Sequence, residues 1–490
     1  MTYYDIVIIG AGPSGLALSH VLSSLNKKIL VIDNNITIGG CHRVKRVYGL
    51  FSEHGPRIYL SNYVNLFNLM KDMGITVNDI FTNYKHNFIL FALKIINYFD
   101  LYEILYFLYI YILYIFNSKY GEKINLYNHL DKYAFSLETI NIIDRLCRFT
   151  DGGTITKCSL NKFIKIFDNL LTTKIYQPKE PLDVSLFKIW KKFLEKRNVT
   201  FLLGKNIVSI NKALNGKSIE YIVCDNKIIY LNKLILAIPP KSLMKILKYN
   251  DLHDCFGDFK ELNELAEKTE YIEYISLTYH FVDKQDLENI NGLTLDTDWG
   301  IIVVNLTDYM KNIEGKYNTI LSCAISICDK KSKNIGKTAN ECSKNELIYE
   351  VHRQIKNSIY KNLSNNYEAI INPNNYYNVN DKKWDDTDDA YFHTINTKYI
   401  NYNSSIINNI YTCGTHIGLI DSNYTNMESA IGNSLILAHK LYPGQLNYKY
   451  YPKKNISLRY IIILIFNILF IFIFIFIFIY FAYLKIIYSK

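Results

Sequence analysis

Paired cysteines are missing from this chain. Its nine cysteines are odd in number, scattered, and nowhere spaced as C-x-x-C. That spacing argues against a zinc site or a disulfide framework, and no metal is expected. Reduced, mostly buried thiols in a cytosol-facing protein fit best. A dense Lys/Arg block is also missing, although the formal net charge is +10. With no nucleic-acid fold signature either, the charge reads as a solvated basic surface and not a nucleic-acid partner. No internal repeat occurs. Proline is scarce, 9 against 42 tyrosines. Such a skew follows base composition in the coding DNA, so single Asn or Tyr residues carry little weight.

What is present begins at once. "DIVIIG" is a short run rich in β-branched residues, as a buried parallel strand should be. Gly10-Ala11-Gly12-Pro13-Ser14-Gly15 follows as G-x-G-x-x-G, then "LALSHVLSSL" with apolar residues at helical spacing. A second strand, "KILVID", ends at Asp33, with Asn34 next, about 20 residues after the glycines, as the dinucleotide fingerprint requires. Gly10 permits the tight turn, Gly12 lets the backbone approach a pyrophosphate, and Gly15 lets helix and strand pack closely. The helix N-terminus, opening at Pro13 and Ser14, points free N–H groups at the phosphates. Asp33 is the expected acceptor for a ribose hydroxyl.

"IDNNITIGGCHRV" continues to the pair Gly39-Gly40. It resembles the second FAD motif of the flavin amine oxidase, protoporphyrinogen oxidase and phytoene desaturase superfamily. That family often has Arg directly after the pair; here Cys41 and His42 intervene, and Arg43 is the nearest guanidinium for a pyrophosphate. "SEHGPRIYLSN" resembles the "GPR" segment of some protoporphyrinogen oxidases and the "GPH" segment of UDP-galactopyranose mutases. In both, this loop runs beside the flavin, which makes His54 and Arg57 candidates for facing the ring or an anionic substrate. Structural hydrogen bonding is the alternative for both.

Residues 81–190 read as the helical part of a substrate domain. "LYEILYFLYIYILYIF" is strongly apolar, but Asp100 and Glu103 interrupt its start. The uninterrupted part is shorter than the ~20 residues of a span, so a buried or membrane-resting helix is expected. The stretch from 191 to 250, which contains "LILAIPP", resembles the superfamily's return to the FAD domain, where Val208 matches the residue that touches adenine by its backbone. "YIEYISLTYHF" and "YNTILSCAISI" alternate as strands do, and place a mixed sheet over 251–395. "NIYTCGTHIGLIDSNYTNMESAIGNSLILAHKL", within 396–443, matches the superfamily's C-terminal FAD motif. The resemblance implies that Gly414, Thr415, Met427 and Ala430 approach the flavin, its helix N-terminus facing the electron-rich edge of the ring. His416 is a further candidate for the ring, and Cys413 reads as a packing residue.

The expected architecture is α/β: a split Rossmann-like FAD-binding domain (1–80, 191–250, 396–443) with an inserted α+β substrate domain (81–190, 251–395). The resemblance implies an FAD-dependent oxidoreductase of the amine oxidase type, acting on a small-molecule amine or an extended apolar substrate. The alternative is a sugar-nucleotide isomerase like the UDP-galactopyranose mutases. No acid–base constellation is legible. Tyr391, Tyr399 and Tyr411 lie where the family places aromatic walls, with ordinary packing as their default.

After a linker (444–459), "YIIILIFNILFIFIFIFIFIYFAYL" is hydrophobic all round over about 25 residues. It is expected to be a single transmembrane helix over 460–484, resembling the C-terminal anchor of monoamine oxidases. Lys453, Lys454 and Arg459 would hold its start in the cytosol beside anionic lipid. A strand starting almost at Met1 leaves no room for a signal peptide, in keeping with a tail anchor. Burial of the tail in a homo-oligomer interface is the other reading.

Overall fold

The β-branched run near the start forms strand β1 (Thr2–Ile9) in the computed structural model, and helix α1 (Pro13–Leu22) leaves directly from the glycine turn. Proline suits the first helical position, because the N–H it lacks has no partner inside a helix. Strand β2 (Ile29–Asp33) is buried along its whole length. A hairpin of β3 (Val44–Val47) and β4 (Leu50–Glu53), and helix α2 (Val64–Asp72), follow. The structure describes residues 2–55, 57–84, 93, 95–170, 173–268, 271, 274–287, 292–294, 296–307, 310, 316–387, 389–420, 425–452 and 457–469.

The next stretch supplies helices α3 (Leu101–Phe116), α4 (Leu137–Asp151) and α5 (Leu160–Leu170). Asp100 and Glu103 interrupt the apolar pattern in the sequence, but in the fold they start the helix. Glu103 N donates to Asp100 Oδ1 at 2.8 Å and Asp100 N to Glu103 Oε2 at 3.0 Å, a reciprocal capping box.

Four strands then follow: β5 (Val199–Leu203), β6 (Ile207–Lys212), β7 (Ile219–Cys224) and β8 (Lys227–Leu236). Beyond them come β9 (Ile275–Phe281), β10 (Gly292–Leu293), β11 (Ile301–Asn305) and β12 (Thr319–Ile325). Helix α6 (Lys344–Ser358), β13 (Glu368–Ile371) and the hairpin β14 (Asn375–Asn378) and β15 (Lys383–Asp386) complete that part. The chain returns through β16 (Ile410–Thr412) and α7 (Met427–Leu441).

Two sheets organise the described residues. The seven-stranded sheet runs β5-β2-β1-β8-β7-β6, with β16 also on β8. β1 is parallel to β2 and to β8, and β16 is parallel to the end of β8, where Leu236 pairs with Thr412. The glycine turn after β1 and Gly414 after β16 therefore emerge together at the carboxyl ends of the parallel strands, where open α/β sheets bind ligands. α1 and α7 pack over this sheet, joined by the Ser434 hydroxyl donating to Ser14 O at 3.0 Å.

The second sheet is antiparallel, β10-β11-β12-β9-β13. α6 buries Leu347, Val351 and Ile355 against it, while Ile302 and Ala324 join the core of the helical segment. The alternation of "ISLTYHF" does not separate a core face from a solvent face, since every residue of β9 is buried. Its polar members grip the loop ahead of the site. The Ser276 hydroxyl donates to His54 O, and Phe51 N donates to His280 Nε2 at 3.0 Å.

Residues 458–469 are helical. The rest of the expected transmembrane helix, 470–484, and the residues Lys453 and Lys454 lie outside the described residues. Among the described residues no helix is long and apolar enough to cross a membrane.

Candidate active site

Gly10 shows why the first turn is built of glycine. Its φ is +108°, and a Cβ there would sit 2.3 Å from Ala237 O. A Cβ on Gly15 would sit 1.9 Å from Gly10 O. Both glycines are thus required by close backbone approach, Gly10 to the end of β8 and Gly15 to the turn itself. Gly12 and Gly40 lie back to back: a Cβ on Gly40 would come 3.0 Å from Gly12 Cα. The Gly-Gly pair therefore packs on the first glycine turn, fastened by Gly39 N donating to Ala11 O at 2.9 Å.

Asp33 ties this turn down. Its Oδ2 accepts from Ala11 N at 2.8 Å and its Oδ1 from Asn35 N at 2.8 Å, and Arg43 Nη2 lies 3.1 Å from both oxygens. Arg43 also donates through Nε to Thr37 O at 2.9 Å. The guanidinium expected at a pyrophosphate is instead committed to Asp33 and to its own loop, and both residues stay on the wall of the cavity.

That cavity, about 860 Å³, runs from the glycine turn to helices α4 and α5. At the nucleotide end its wall includes Gly10, Gly12, Pro13 and Ser14, then Asp33, Asn34, Gly40 and Arg43. Gly15 and Gly39 are spent on packing and do not reach it. Val208 does not reach it either. It is 63% exposed, and the wall position on β6 is its neighbour Ile207. Successive strand residues face opposite ways, so a one-residue offset moves the side chain to the other face.

At the middle of the cavity stand Gly414, Thr415, His416, Met427 and Ala430. α7 begins here, capped by Asn426, whose side chain accepts from Ser429 N at 2.8 Å. Glu428 turns away and serves another helix. Its carboxylate accepts from Asn65 N at 2.8 Å and Leu66 N at 3.0 Å, the first turn of α2. Cys413 is a packing residue, fully buried and 3.2 Å from the Ser434 hydroxyl, and burial pushes its thiol up to about 12. His416 Nε2 lies 2.9 Å from Thr412 Oγ1 and Nδ1 lies 3.4 Å from the Tyr391 hydroxyl, which also bonds Thr415 Oγ1. Burial, with a smaller push from His393, lowers the His416 pKa to about 3, so the ring is neutral near pH 7.

Of the three tyrosines singled out, Tyr391 lines the cavity. Tyr399 packs over Gly418 and is half exposed, and Tyr411 donates to Asn408 O on the outside of the sheet.

The far end mixes apolar and charged groups. Leu146 and Phe149 from α4, and Ile166 and Phe167 from α5, form an apolar wall. His54 and Arg57 also line the cavity, with Asp386 at the end of β15; Asp389 beyond it accepts from the Ser242 hydroxyl and pairs with Lys241, just after β8. His54 Nδ1 is 3.4 Å from Asp386 Oδ2, which also accepts from Asn375 Nδ2 at 3.1 Å. Arg57 donates to Cys41 O, bracing the Gly-Gly segment against the loop that carries Arg57. Behind them, Glu53 is 2% exposed; burial raises its pKa to about 7, partly offset by Arg57. His42, 3.2 Å from the Tyr59 hydroxyl, is held well below its usual pKa by burial and then by Arg57. Asp386 and Asp389 escaped the sequence reading, because "DDTDDAYFHT" resembles an ordinary polar loop. Among the described residues no His/Cys/Asp/Glu group is arranged to hold a metal.

The backbone accommodates a dinucleotide. Side chains are absent where Gly10, Gly12 and Gly40 meet, and the starts of α1 and α7 both open on the cavity.

The model of the NAD(P)-binding Rossmann-like domain matches residues 8–73. The UDP-galactopyranose mutase of Mycoplasma genitalium is 34% identical over 70 residues, 14% of this chain and 17% of that protein. The chain thus matches less than a fifth of the length of this curated relative. Among solved structures, putrescine oxidase bound to putrescine aligns with a TM-score of 0.61 at 12% identity, over 90% of this chain and 99% of its own. Cyclohexylamine oxidase from Brevibacterium oxydans aligns with a TM-score of 0.58 at 10% identity, over 89% and 99%. At such identities the likeness is one of fold, which this chain shares with these two oxidases over most of its length.

Proposed function

We propose that this chain, folded as the flavin amine oxidases are, is an FAD-dependent oxidoreductase that oxidises an amine or an extended apolar substrate. The observation that carries the reading is the single cavity that joins a glycine-built nucleotide cradle to an apolar chamber. The Gly10–Gly15 turn and the start of α1 would hold the pyrophosphate, the backbone near Ile207 the adenine, and Gly414, Thr415 and the start of α7 the ring. When bound, FAD supplies the acceptor for a hydride. The chain's own task is to orient the substrate C–H bond, exclude water and manage one proton. Phe149, Ile166 and Phe167 offer the apolar contacts and keep the chamber dry. His54, steadied by Asp386, is the candidate acceptor for a substrate ammonium proton, since an amine must be neutral before it gives up a hydride. The apolar C-terminal run is proposed to anchor the protein in a membrane, with the catalytic part on the cytosolic side.

Purified protein should be yellow and release FAD on acid treatment. Anaerobic mixing with polyamines, aryl amines, porphyrinogens and polyenes should bleach the flavin for at least one class. A second reading is favoured by the mutase match over 70 residues. In that case the panel would leave the flavin oxidised, and the pre-reduced protein would interconvert a UDP-sugar without net redox. A colourless protein that FAD cannot reconstitute would defeat both readings.

A further inference from the structure

α3 turns an uncharged face to the outside. Leu101, Leu105, Leu108 and Ile112 recur at helical spacing and are each half exposed or more, as are Tyr102 and Tyr109 beside them. At about 100° per residue these positions fall within an arc of about 120°. The opposite side is buried at Glu103, Ile110 and Tyr114. The one charged residue of this helix, Glu103, is its cap and is 1% exposed. A face of this kind over sixteen residues is far more than the scattered apolar residues of an ordinary surface.

A second apolar helix starts at the end of α3. Arg459 Nε donates to Tyr114 O and Ile115 O, both at 3.0 Å, and so satisfies carbonyls of the last turn of α3. Arg459 N donates to Asp168 Oδ1 at 2.8 Å, and Asp168 also accepts from the hydroxyls of Tyr111 and Tyr114. From this anchorage residues 458–469 run as a helix with Leu464, Ile465, Phe466, Ile468 and Leu469 exposed. The sequence beyond them stays apolar to position 484.

We propose that α3 lies flat on a phospholipid bilayer, its exposed stripe sunk to the acyl boundary, beside the point where the C-terminal run enters the same membrane. The occupant is lipid, because the stripe is uncharged and adjoins an apolar helix exposed over its last described turns. α3 rests on the bilayer and does not span it. Its sixteen residues measure about 24 Å against a core of about 30 Å, and its other side is packed on protein. One consequence concerns the cavity. Asp168 of α5 holds both α3 and Arg459, while its neighbours Ile166, Phe167 and Asn169 line the chamber. A single helix therefore separates the proposed lipid face from the substrate end, which suits an apolar substrate arriving from the membrane. The docking surface does not depend on which chemistry the cavity performs; it shares only the C-terminal anchor with the function proposed above.

The test uses the full chain in phosphatidylcholine–phosphatidylglycerol vesicles. Leu108→Cys, Ile468→Cys and Lys132→Cys variants are labelled with an environment-sensitive fluorophore; eight native cysteines are buried and Cys41 is partly so, which keeps background low. Leu108 and Lys132 are exposed, so the labels leave the fold intact. The label at 108 should be quenched about twofold by lipid-borne nitroxides and shielded from aqueous iodide, while the label at 132 shows the reverse. Lipid quenching at 468 but iodide quenching at 108 would overturn the docking of α3 and leave the anchor standing. Absence of lipid quenching at both would overturn docking and anchor together. Shielding at 108 that vanishes on dilution of protein in excess lipid would assign the face to a second copy of this chain and equally overturn the proposal.

Discussion

The two ends of the cavity are built by different means. At the nucleotide end the work falls to backbone: Gly10, Gly12 and Gly40 remove side chains, strands end together, and α1 and α7 present their N-termini. At the substrate end the work falls to side chains carried by separate elements. His54 follows β4, Asp386 ends β15, and Phe149 and Phe167 come from α4 and α5. A backbone site needs local spacing and so leaves a motif. A side-chain site needs only that distant elements meet, and it leaves none. The same contrast holds mechanically, since the loop bearing His54 is held by β9 of the second sheet through Ser276 and His280.

The largest effects should come from breaking the backbone end, where two glycines can be told apart. A Gly10→Val variant places a side chain 2.3 Å from Ala237 O in a left-handed conformation and should cost about 3 kcal/mol or more, losing fold and flavin together. Gly12→Val differs. Its Cβ meets Gly40, Cα at 3.6 Å and N at 3.9 Å, ordinary contacts, and its φ is −79°. It should melt within about 1 kcal/mol of the parent while losing flavin, because the side chain occupies the pyrophosphate approach. Thermal melts with flavin absorbance separate the two. Full flavin occupancy in Gly12→Val would show that the turn is not the cradle.

A smaller effect is expected at the side-chain end. His54→Gln should leave flavin content and its spectrum unchanged, yet lower kcat/KM about 100-fold for an amine identified by the bleaching panel. Asp386→Asn should fall less, since it acts on His54 only across 3.4 Å. Equal losses of flavin in these variants would erase the distinction between the two ends.

Legibility followed the same division. The first glycines and the strand ends could be read because spacing defines them, and the Met-Glu helix through its resemblance to a known motif. Roles that depend on partners could not. Arg43 pairs with Asp33 across a fold of the loop, and Glu428 caps α2 from 362 positions away along the chain. Val208, expected to touch adenine by its backbone, turns its side chain outward while its neighbour Ile207 lines the cavity, a difference that hydrophobic patterning does not resolve when both are apolar. In β9 the alternation was visible but its meaning was not, because the polar face meets another part of the protein.

The smallest effect sharpens the comparison through pH. His416, beside the nucleotide end, and His280, in the second sheet, have pKa values lowered by burial to about 3 and about 4. Unfolded, each would titrate near 6.5. Below that value the unfolded chain binds protons that the folded chain refuses, so stability falls as pH falls. Each histidine contributes at most about 1.4 kcal/mol per pH unit. Glu53 works in the opposite direction. Its folded pKa, raised to about 7 from 4.5, gives stability that is present below 4.5 and lost as pH rises toward 7. Between 4.5 and 6.5 these two histidines, joined by His42 whose pKa burial also lowers, outweigh one glutamate, and the net slope is a loss of at least about 1.4 kcal/mol per unit of acidification. Denaturant midpoints at pH 7, 6 and 5 measure it. Glu53→Gln should steepen the slope, and His416→Gln should flatten it. If both histidines act on one cooperative unit, a single transition will carry the whole slope. Two transitions, each flattened by only its own histidine variant, would mean that the nucleotide and substrate ends unfold separately. Stability that rises from pH 6.5 to 5 would show that these rings are not held neutral.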